Sequence, residues 1–321
     1  MTARGRFCSP SLLVSWGLML LVIVAGDGCA AEAHRAVLAE PRAPALGELK
    51  NATYSGFEVV ETPITLKDGR WEGAPYVADG ASRPTISLVG DFYRIGDLSA
   101  DGSDAVVLLA EHAGGSGEYI YLAAVARRDG QVRNVGTVRL GDRVQIRAVR
   151  IEGRDVIVDL IRAGPQDAAC CPGEVVTRRW QLRPDGLQET QAASPPGRLT
   201  LETIGGTEWV LRAWNLHDAA PAAPEVTLAV KDGTFVGGSG CNRYFAAGKL
   251  GAMPGDVTVG AVGATRMACP EEQMAVERRF LKQLAAVKTF GFRVGQLALS
   301  YEVDGVWGVM LFDAHQPIGR E

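Results

Sequence analysis

The stretch that decides the fold runs from Gly237 to Leu284 and reads GGSGCNRYFAAGKLGAMPGDVTVGAVGATRMACPEEQMAVERRFLKQL. Two cysteines, Cys241 and Cys269, bracket a glycine-rich, strand-like segment, and the second cysteine leads directly into an amphipathic helix. A disulfide between them would close a loop of about 28 residues, and chain entropy gives such a crosslink roughly 3–4 kcal/mol. The stretch therefore predicts a strand region tied to the start of one helix.

The predicted helix begins near Pro270, whose missing N–H is tolerated in a first turn. Glu271 and Glu272 follow, and negative charge is favourable at the positive end of the helix dipole. Apolar residues then recur along one side, at Val276, Phe280, Leu284 and Val287. Such a stripe indicates a helix that packs one face on a sheet.

Glu277 borders this apolar stripe, and two interpretations apply to it. A half-buried carboxyl group can have a raised pKa and act as an acid. More often an arginine holds such a group in place, and Arg243 and Arg266 are the candidates. We favour the second interpretation.

These residues resemble the META domain, the family of the bacterial heat-shock protein HslJ. The likeness rests on Gly240-Cys241-Asn242-Arg243-Tyr244, on Thr265-Arg266-Met267-Ala268-Cys269-Pro270, and on Glu277 and Phe280. The resemblance implies a mostly antiparallel β-domain with one helix over residues 199–314, linked in the family to envelope stress responses. No catalytic residues are established for the family, so we predict none here, and we expect a protein that is not an enzyme.

The chain of 321 residues is long enough for two domains. From residue 49 to residue 190, apolar or alternating runs separated by Asp-Gly and Glu-Gly pairs predict a first antiparallel β-domain. We assign residues 29–48 to a tether and 191–198 to a linker. The fold class is therefore mainly β, with two antiparallel β domains. The first domain is similar to an uncharacterised β-domain of bacterial envelope proteins, through Gly96-Asp97-Leu98, Gly114-Gly115-Ser116-Gly117 and Cys170-Cys171-Pro172.

Residues 1–28 are interpreted as a secretory signal peptide, because two arginines precede an apolar run of about 14 residues. Cys29 stands where a lipoprotein would be lipidated and cleaved, although Gly26 and Asp27 depart from the usual residues before that cysteine. Cleavage at a small-residue site such as Ala31–Ala33 is the alternative. We expect a cell-envelope location, either as an outer-membrane lipoprotein or as a soluble periplasmic protein.

Export places the cysteines in an oxidising compartment, which favours disulfides. We expect Cys241 to pair with Cys269. Cys170 and Cys171 are neighbours, so they can bridge only in a strained ring. Two half-buried thiols, a vicinal disulfide, and a redox or metal role all remain open for this pair.

One other segment carries side chains that could bind a ligand, and its pattern is similar to that of a calcium-binding loop. Asp97, Ser99 and Asp101 stand at alternate positions, and Gly102 follows where a calcium loop turns. The later carboxylate that such loops use is missing, so we favour a turn in which side chains accept backbone N–H groups. We expect no cofactor, or calcium at most.

Three function classes remain. The chain has 33 lysines and arginines and 37 aspartates and glutamates, a net charge of −4. This composition lacks the excess of basic residues that is typical of proteins that bind nucleic acid. We favour a non-enzymatic envelope protein with a stress-related or structural role, whose partners are other envelope components and, through a lipidated Cys29, the membrane. The alternative is a small-ligand or calcium-binding module. An enzyme is disfavoured because the histidines share no motif with a nucleophile or a metal set.

Overall fold

Antiparallel strands make up most of the part of the chain that the computed structural model describes, residues 42–99, 103–191 and 197–315. The prediction of a mainly β protein with one packed helix is confirmed. The predicted signal peptide, Cys29, residues 30–41 of the tether, Asp101 and residues 192–196 of the linker lie outside the described residues.

The N-terminal half is built from two main sheets and a small hairpin. One sheet has the order β3-β4-β5-β6-β7, and the other has the order β11-β10-β9-β8, with β12 added beside β10. The elements are α1 Leu46–Leu49, β1 Thr53–Tyr54, β2 Ile64–Thr65, β3 Arg70–Glu72, β4 Thr85–Gly96, β5 Asp104–His112, β6 Tyr119–Arg128, β7 Gln131–Asp142, β8 Gln145–Glu152, β9 Asp155–Arg162, β10 Glu174–Arg183, β11 Gly186–Gln191 and β12 Gly197–Arg198.

Strands β5 and β6 are apolar at almost every position because both faces of their sheet are covered. Successive side chains of a strand point to opposite faces. Val106 and Leu108 accordingly belong to one core cluster, which also contains Trp180 of β10. Val107 and Leu109 belong to a second cluster, on the side of α1 and β1.

The C-terminal half is a single curved sheet with one helix. Its strand order is β18-β17-β16-β15-β13-β22-β21-β20, with β14 beside β13 and β19 beside β17. After a 3-10 turn at Leu201–Ile204, the elements are β13 Trp209–Asn215, β14 Asp218–Ala219, β15 Thr227–Lys231, β16 Thr234–Gly238, β17 Arg243–Leu250, β18 Val257–Val259, β19 Gly263–Ala264, α2 Glu271–Ala285, β20 Val287–Arg293, β21 Gln296–Val303 and β22 Val306–Ala314.

The two edges of this sheet meet and give it a barrel-like form. Asp256 and Thr289 form an isolated bridge, and the Phe290 N–H donates to the Gly255 carbonyl at 2.8 Å. Gly255 has φ +83°, and a Cβ there would lie 2.8 Å from the Phe290 carbonyl oxygen. Only glycine allows the strands to approach this closely.

Helix α2 covers the barrel core with Phe280 and Leu284, both fully buried. Phe280 meets Tyr244 edge to face, with the ring centroids 5.1 Å apart. The predicted stripe is correct as far as Leu284. Its last member, Val287, is instead the first residue of β20, because the helix ends at Ala285.

The two halves make direct contacts. Ile161 of β9 belongs to the core cluster of the barrel. The Gly295 N–H donates to the Ile146 carbonyl at 2.9 Å, and the Phe292 N–H donates to Gln145 Oε1 at 2.9 Å. The described residues on both sides of the linker accordingly fall within one compact unit. No helix within the described ranges is long and apolar enough to cross a membrane.

Candidate functional site

The loop between β16 and β17 brings the quoted sequence features together. It runs from Ser239 to Asn242 and lies against α2, and Gly240 makes this contact possible. Gly240 has φ +106°, and a Cβ there would already sit 3.5 Å from Val276 Cγ1 of the helix and 3.2 Å from Pro224. A residue with a side chain would be strained at this φ, and its Cβ would lie tightly against Pro224.

Cys241 of this loop is joined to Cys269 in a disulfide, with the Cα atoms 6.0 Å apart. Cys269 precedes Pro270, the N-cap of α2. The bond therefore ties the loop to the beginning of the helix, which is the arrangement that the sequence predicts.

Beneath the disulfide, Glu277 reaches from α2 into the same loop. Its Oε2 accepts hydrogen bonds from Ser239 Oγ at 2.5 Å and from the Asn242 N–H at 2.8 Å. Its Oε1 accepts from Asn242 Nδ2 at 3.0 Å. Glu277 and Asn242 are both buried, so these bonds replace the water that the carboxylate would otherwise have.

Asn242 extends this contact to the segment before the helix. Its Oδ1 accepts from Thr265 Oγ1 and from the Met267 N–H, both at 2.7 Å. One asparagine side chain thus binds both Glu277 and the chain that leads to Cys269. We call Ser239, Asn242, Thr265 and Glu277, with the disulfide Cys241–Cys269, the signature cluster.

The signature cluster keeps Glu277 ionised. Burial alone would raise the pKa of the Glu277 carboxyl group, but the hydrogen bonds from Ser239 and Asn242 outweigh it and hold the pKa below its usual range. A carboxylate in this state accepts hydrogen bonds and is a poor proton donor at neutral pH.

The interpretation that an arginine holds Glu277 is wrong. Arg243 and Arg266 are both exposed, and neither forms an ion pair with Glu277 within the described residues. Neutral donors take their place, because the tight loop aims a hydroxyl, an amide and a backbone N–H at the carboxylate. The sequence offered a signal for this, the Ser-Gly-Cys-Asn run, which carries the side-chain donors.

Residues 199–311 match the family model of the META domain. The C-terminal region is a META domain. The chain is also similar to the NMR structure of a protein from Burkholderia xenovorans, at 26% identity over 40% of this chain and 96% of the other, with a TM-score of 0.30. Comparison with curated proteins finds no match.

Outside the META domain, Cys170 and Cys171 are paired in a vicinal disulfide in the loop between β9 and β10. Asp167 anchors that loop. Its side chain is 3% exposed and accepts from Gly164 N–H, Gly173 N–H and both terminal nitrogens of Arg198, at 2.8–3.0 Å. The Arg198 guanidinium and the backbone donors lower the pKa of Asp167 to about 2.

The calcium-like segment is the hairpin loop between β4 and β5. Asp104, which is fully buried, accepts from the Leu98 N–H, the Ser99 N–H and Ser99 Oγ at 2.7–2.9 Å. These are the bonds of an aspartate that closes a turn. Asp97 and Ser99 lie in this loop, and Asp101 is outside the described residues, so weak calcium binding stays a prediction. Among the described residues, no group of three or more His, Cys, Asp and Glu side chains is arranged so that it could hold a metal ion.

A feature that sequence reasoning missed lies between the META domain and the N-terminal half. A cleft of about 660 Å³ opens there and is lined by arginines from three separate strands. We call it the arginine cleft, and its charged or polar lining residues are Arg94, Arg147, Arg212, Glu225, Gln296, Asp313 and His315. No local motif joins these residues, because they come from six separate segments and only Asp313 and His315 are close in sequence.

Proposed function

We propose that the protein is an exported META-domain protein of the cell envelope that acts by binding or supporting other envelope components and catalyses no reaction. The family match supports an envelope and stress association in general terms. Export, the lipid anchor and the partners are parts of the proposal.

The observation that carries the proposal is the signature cluster. Its disulfide joins Cys241 to Cys269, and a stabilising disulfide persists in an oxidising compartment such as the periplasm. The leader-like residues 1–28 supply a route to that compartment.

A non-enzymatic role is supported by how the cluster uses its polar groups. Glu277 is the buried carboxylate of the cluster, and its oxygens accept hydrogen bonds from Ser239 and Asn242. The disulfide occupies the two cysteine sulfurs of the domain. In the signature cluster, the carboxylate of Glu277 and the sulfurs of Cys241 and Cys269 therefore hold the loop on the helix.

The experiment is fractionation of cells that express the full chain, with thiol alkylation before and after reduction. We expect an envelope fraction in which Cys241 and Cys269 resist alkylation until a reductant is added. A cytoplasmic protein in which both cysteines react at once would contradict the proposal.

The lipid anchor is tested in the same cells. Cys29→Ala should move the protein from the detergent phase to the aqueous phase in phase partitioning. If the variant and the parent partition identically, the protein carries no lipid at Cys29 and the proposal is reduced to a soluble periplasmic protein. Crosslinking in the intact envelope then identifies the partners.

A further inference from the structure

We propose that the arginine cleft binds a small organic anion, a carboxylate or a phosphate ester, between Arg94 and Arg147. The site does not depend on export or on a lipid anchor, so it goes beyond the function proposed above. Six segments build it: the bulged part of β4, the beginning of β8, β13, the loop before β15, the turn between β20 and β21, and the end of β22.

The charges in the arginine cleft do not balance. Arg212 is paired with Asp313 at 3.3 Å, and the other oxygen of Asp313 accepts from Gln296 Nε2 at 2.8 Å. Arg94 and Arg147 form no ion pair with any carboxylate in residues 42–99, 103–191 and 197–315. Glu225 also lines the cleft and forms no ion pair with another described residue.

The neighbouring charges strengthen this imbalance. Arg293 lines an adjoining pocket of about 420 Å³ that shares Arg94 and Asp313 with the cleft. Within the described part of the chain, Arg293 forms no ion pair either. Asp91, on the same wall, is paired with Lys50. Three arginines, Arg94, Arg147 and Arg293, thus stand against one unpaired carboxylate.

Arg147 is held in place by groups that cannot neutralise it. Its guanidinium lies 5.2 Å from the centre of the Phe292 ring, and its Nη2 donates to the Thr203 carbonyl at 3.1 Å. Its Nε is buried and has no hydrogen-bond partner in the described part of the chain. Asp159 is the carboxylate that interacts electrostatically with Arg147, but its oxygens accept hydrogen bonds from Arg150 and Thr177. A partly buried cation without an anionic partner is unfavourable, and a bound anion would supply that partner.

Arg94 is also oriented before any ligand arrives. It stacks over Phe92 at 4.6 Å, and its Nη1 donates to the Tyr93 carbonyl at 3.0 Å. The β4 bulge places it there, since four residues of β4 stand opposite one residue of β5 between the Leu88 and Tyr93 pairings. A guanidinium that is already oriented loses little freedom when it binds a carboxylate or a phosphate through paired N–H groups.

The size and the walls of the cleft set the class of ligand. A volume of about 660 Å³ is in the range of small-molecule sites, about 300–1,000 Å³. Phe92, Ile146, Val149 and Val294 give the walls an apolar part. The chain carries a net charge of −4, which opposes a long polyanion such as a nucleic acid. The structure therefore fits an anionic head group on a small apolar body.

The test is a titration of the full chain with phenyl phosphate, benzoate and benzyl alcohol. Binding is measured from the shifts of backbone amide signals in NMR spectra. We expect saturable shifts at Ala148, Gly295 and Gln296 with the two anions and no saturable shifts with the neutral alcohol. Tighter binding of phenyl phosphate would assign the site to phosphate esters, and tighter binding of benzoate would assign it to carboxylates.

Two variants and a matched control locate the binding. Arg94→Ala, at an exposed position, and Arg147→Met should each weaken binding by about tenfold, as expected for the loss of one charge-assisted contact. Arg154→Ala removes an exposed arginine outside the cleft and should leave affinity unchanged. No saturable binding at about 20 mM probe, well above the millimolar range of weak sites, would overturn the proposal. So would equal binding of benzyl alcohol, or an equal loss in Arg154→Ala.

Discussion

Glu277 of the signature cluster and Arg147 of the arginine cleft are two charged side chains that are at least partly buried. They differ in how completely the surrounding protein supplies hydrogen-bond partners. Glu277 accepts hydrogen bonds from a serine, an asparagine side chain and a backbone N–H. Arg147 donates to one carbonyl oxygen and lies over one aromatic ring, and its Nε has no hydrogen-bond partner among the described residues.

The pKa values follow from this difference. The donors lower the pKa of Glu277 although its burial opposes them. Burial lowers the pKa of Arg147, and the distant charge of Asp159 only partly compensates. The hydrogen bonds of Glu277 make it part of the framework, whereas Arg147 lacks an anionic partner, which the proposed ligand would supply. The comparison therefore assigns structure to the first region and binding to the second.

The largest effect is expected when the disulfide of the signature cluster is removed. Cys241→Ala with Cys269→Ala should lower the free energy of unfolding by about 2–5 kcal/mol, because a loop of 28 residues is no longer closed. Denaturant unfolding measures this.

The vicinal pair provides the matched control. Cys170→Ala with Cys171→Ala removes a bond between neighbours, which closes almost no loop, so the expected loss is under about 1 kcal/mol. Equal losses in the two double variants would mean that the signature disulfide adds nothing through loop closure.

The next effect is expected at Glu277. Glu277→Gln keeps the shape but turns one acceptor into a donor that faces Ser239 and Asn242, so we expect a loss of about 2–3 kcal/mol at pH 7. Glu272→Gln, at an exposed position of the same helix, should change stability by less than about 0.5 kcal/mol.

The same variant has a definite pH dependence. The pKa of Glu277 is lower in the folded protein than the roughly 4.3 of a free glutamate, so its stabilisation is present above that pH and is lost as pH falls through the folded value. The gap between the parent and Glu277→Gln should therefore narrow below about pH 4. A gap that stays constant would show that the carboxylate charge has no role.

More of the fold than of the candidate site could be predicted from the sequence. The mainly β character was predicted, and the helix predicted to begin near Pro270 is α2, Glu271–Ala285. Alternation and Asp-Gly turns are local signals, so the sequence alone carries them.

The site required information that no local pattern contains. The Cys241–Cys269 pairing could be predicted because both cysteines flank recognisable elements. The partners of Glu277 could not, since the choice between an exposed arginine and Ser239 depends on how the loop turns at Gly240. The arginine cleft could not be predicted either, because Arg94 and Arg147 lie on separate strands of the N-terminal half, and the META domain supplies the rest of the lining.

A smaller effect is expected on the other side of the comparison. Arg147→Met removes a hydrogen bond and a cation–π contact but also a desolvated charge, and these changes oppose each other. We expect stability within about 1 kcal/mol of the parent by denaturant unfolding. A loss as large as that of Glu277→Gln would show that Arg147 is as structural as Glu277.

The most direct test of the account is an NMR titration of the Glu277 side-chain carboxyl carbon in the folded protein. We expect an apparent pKa below the roughly 4.3 of an unperturbed glutamate, because Ser239 and Asn242 stabilise the ionised form. A pKa above about 5 would show that burial dominates, as it does for a carboxylic acid poised for chemistry. That result would contradict the assignment of the signature cluster to the framework of the protein.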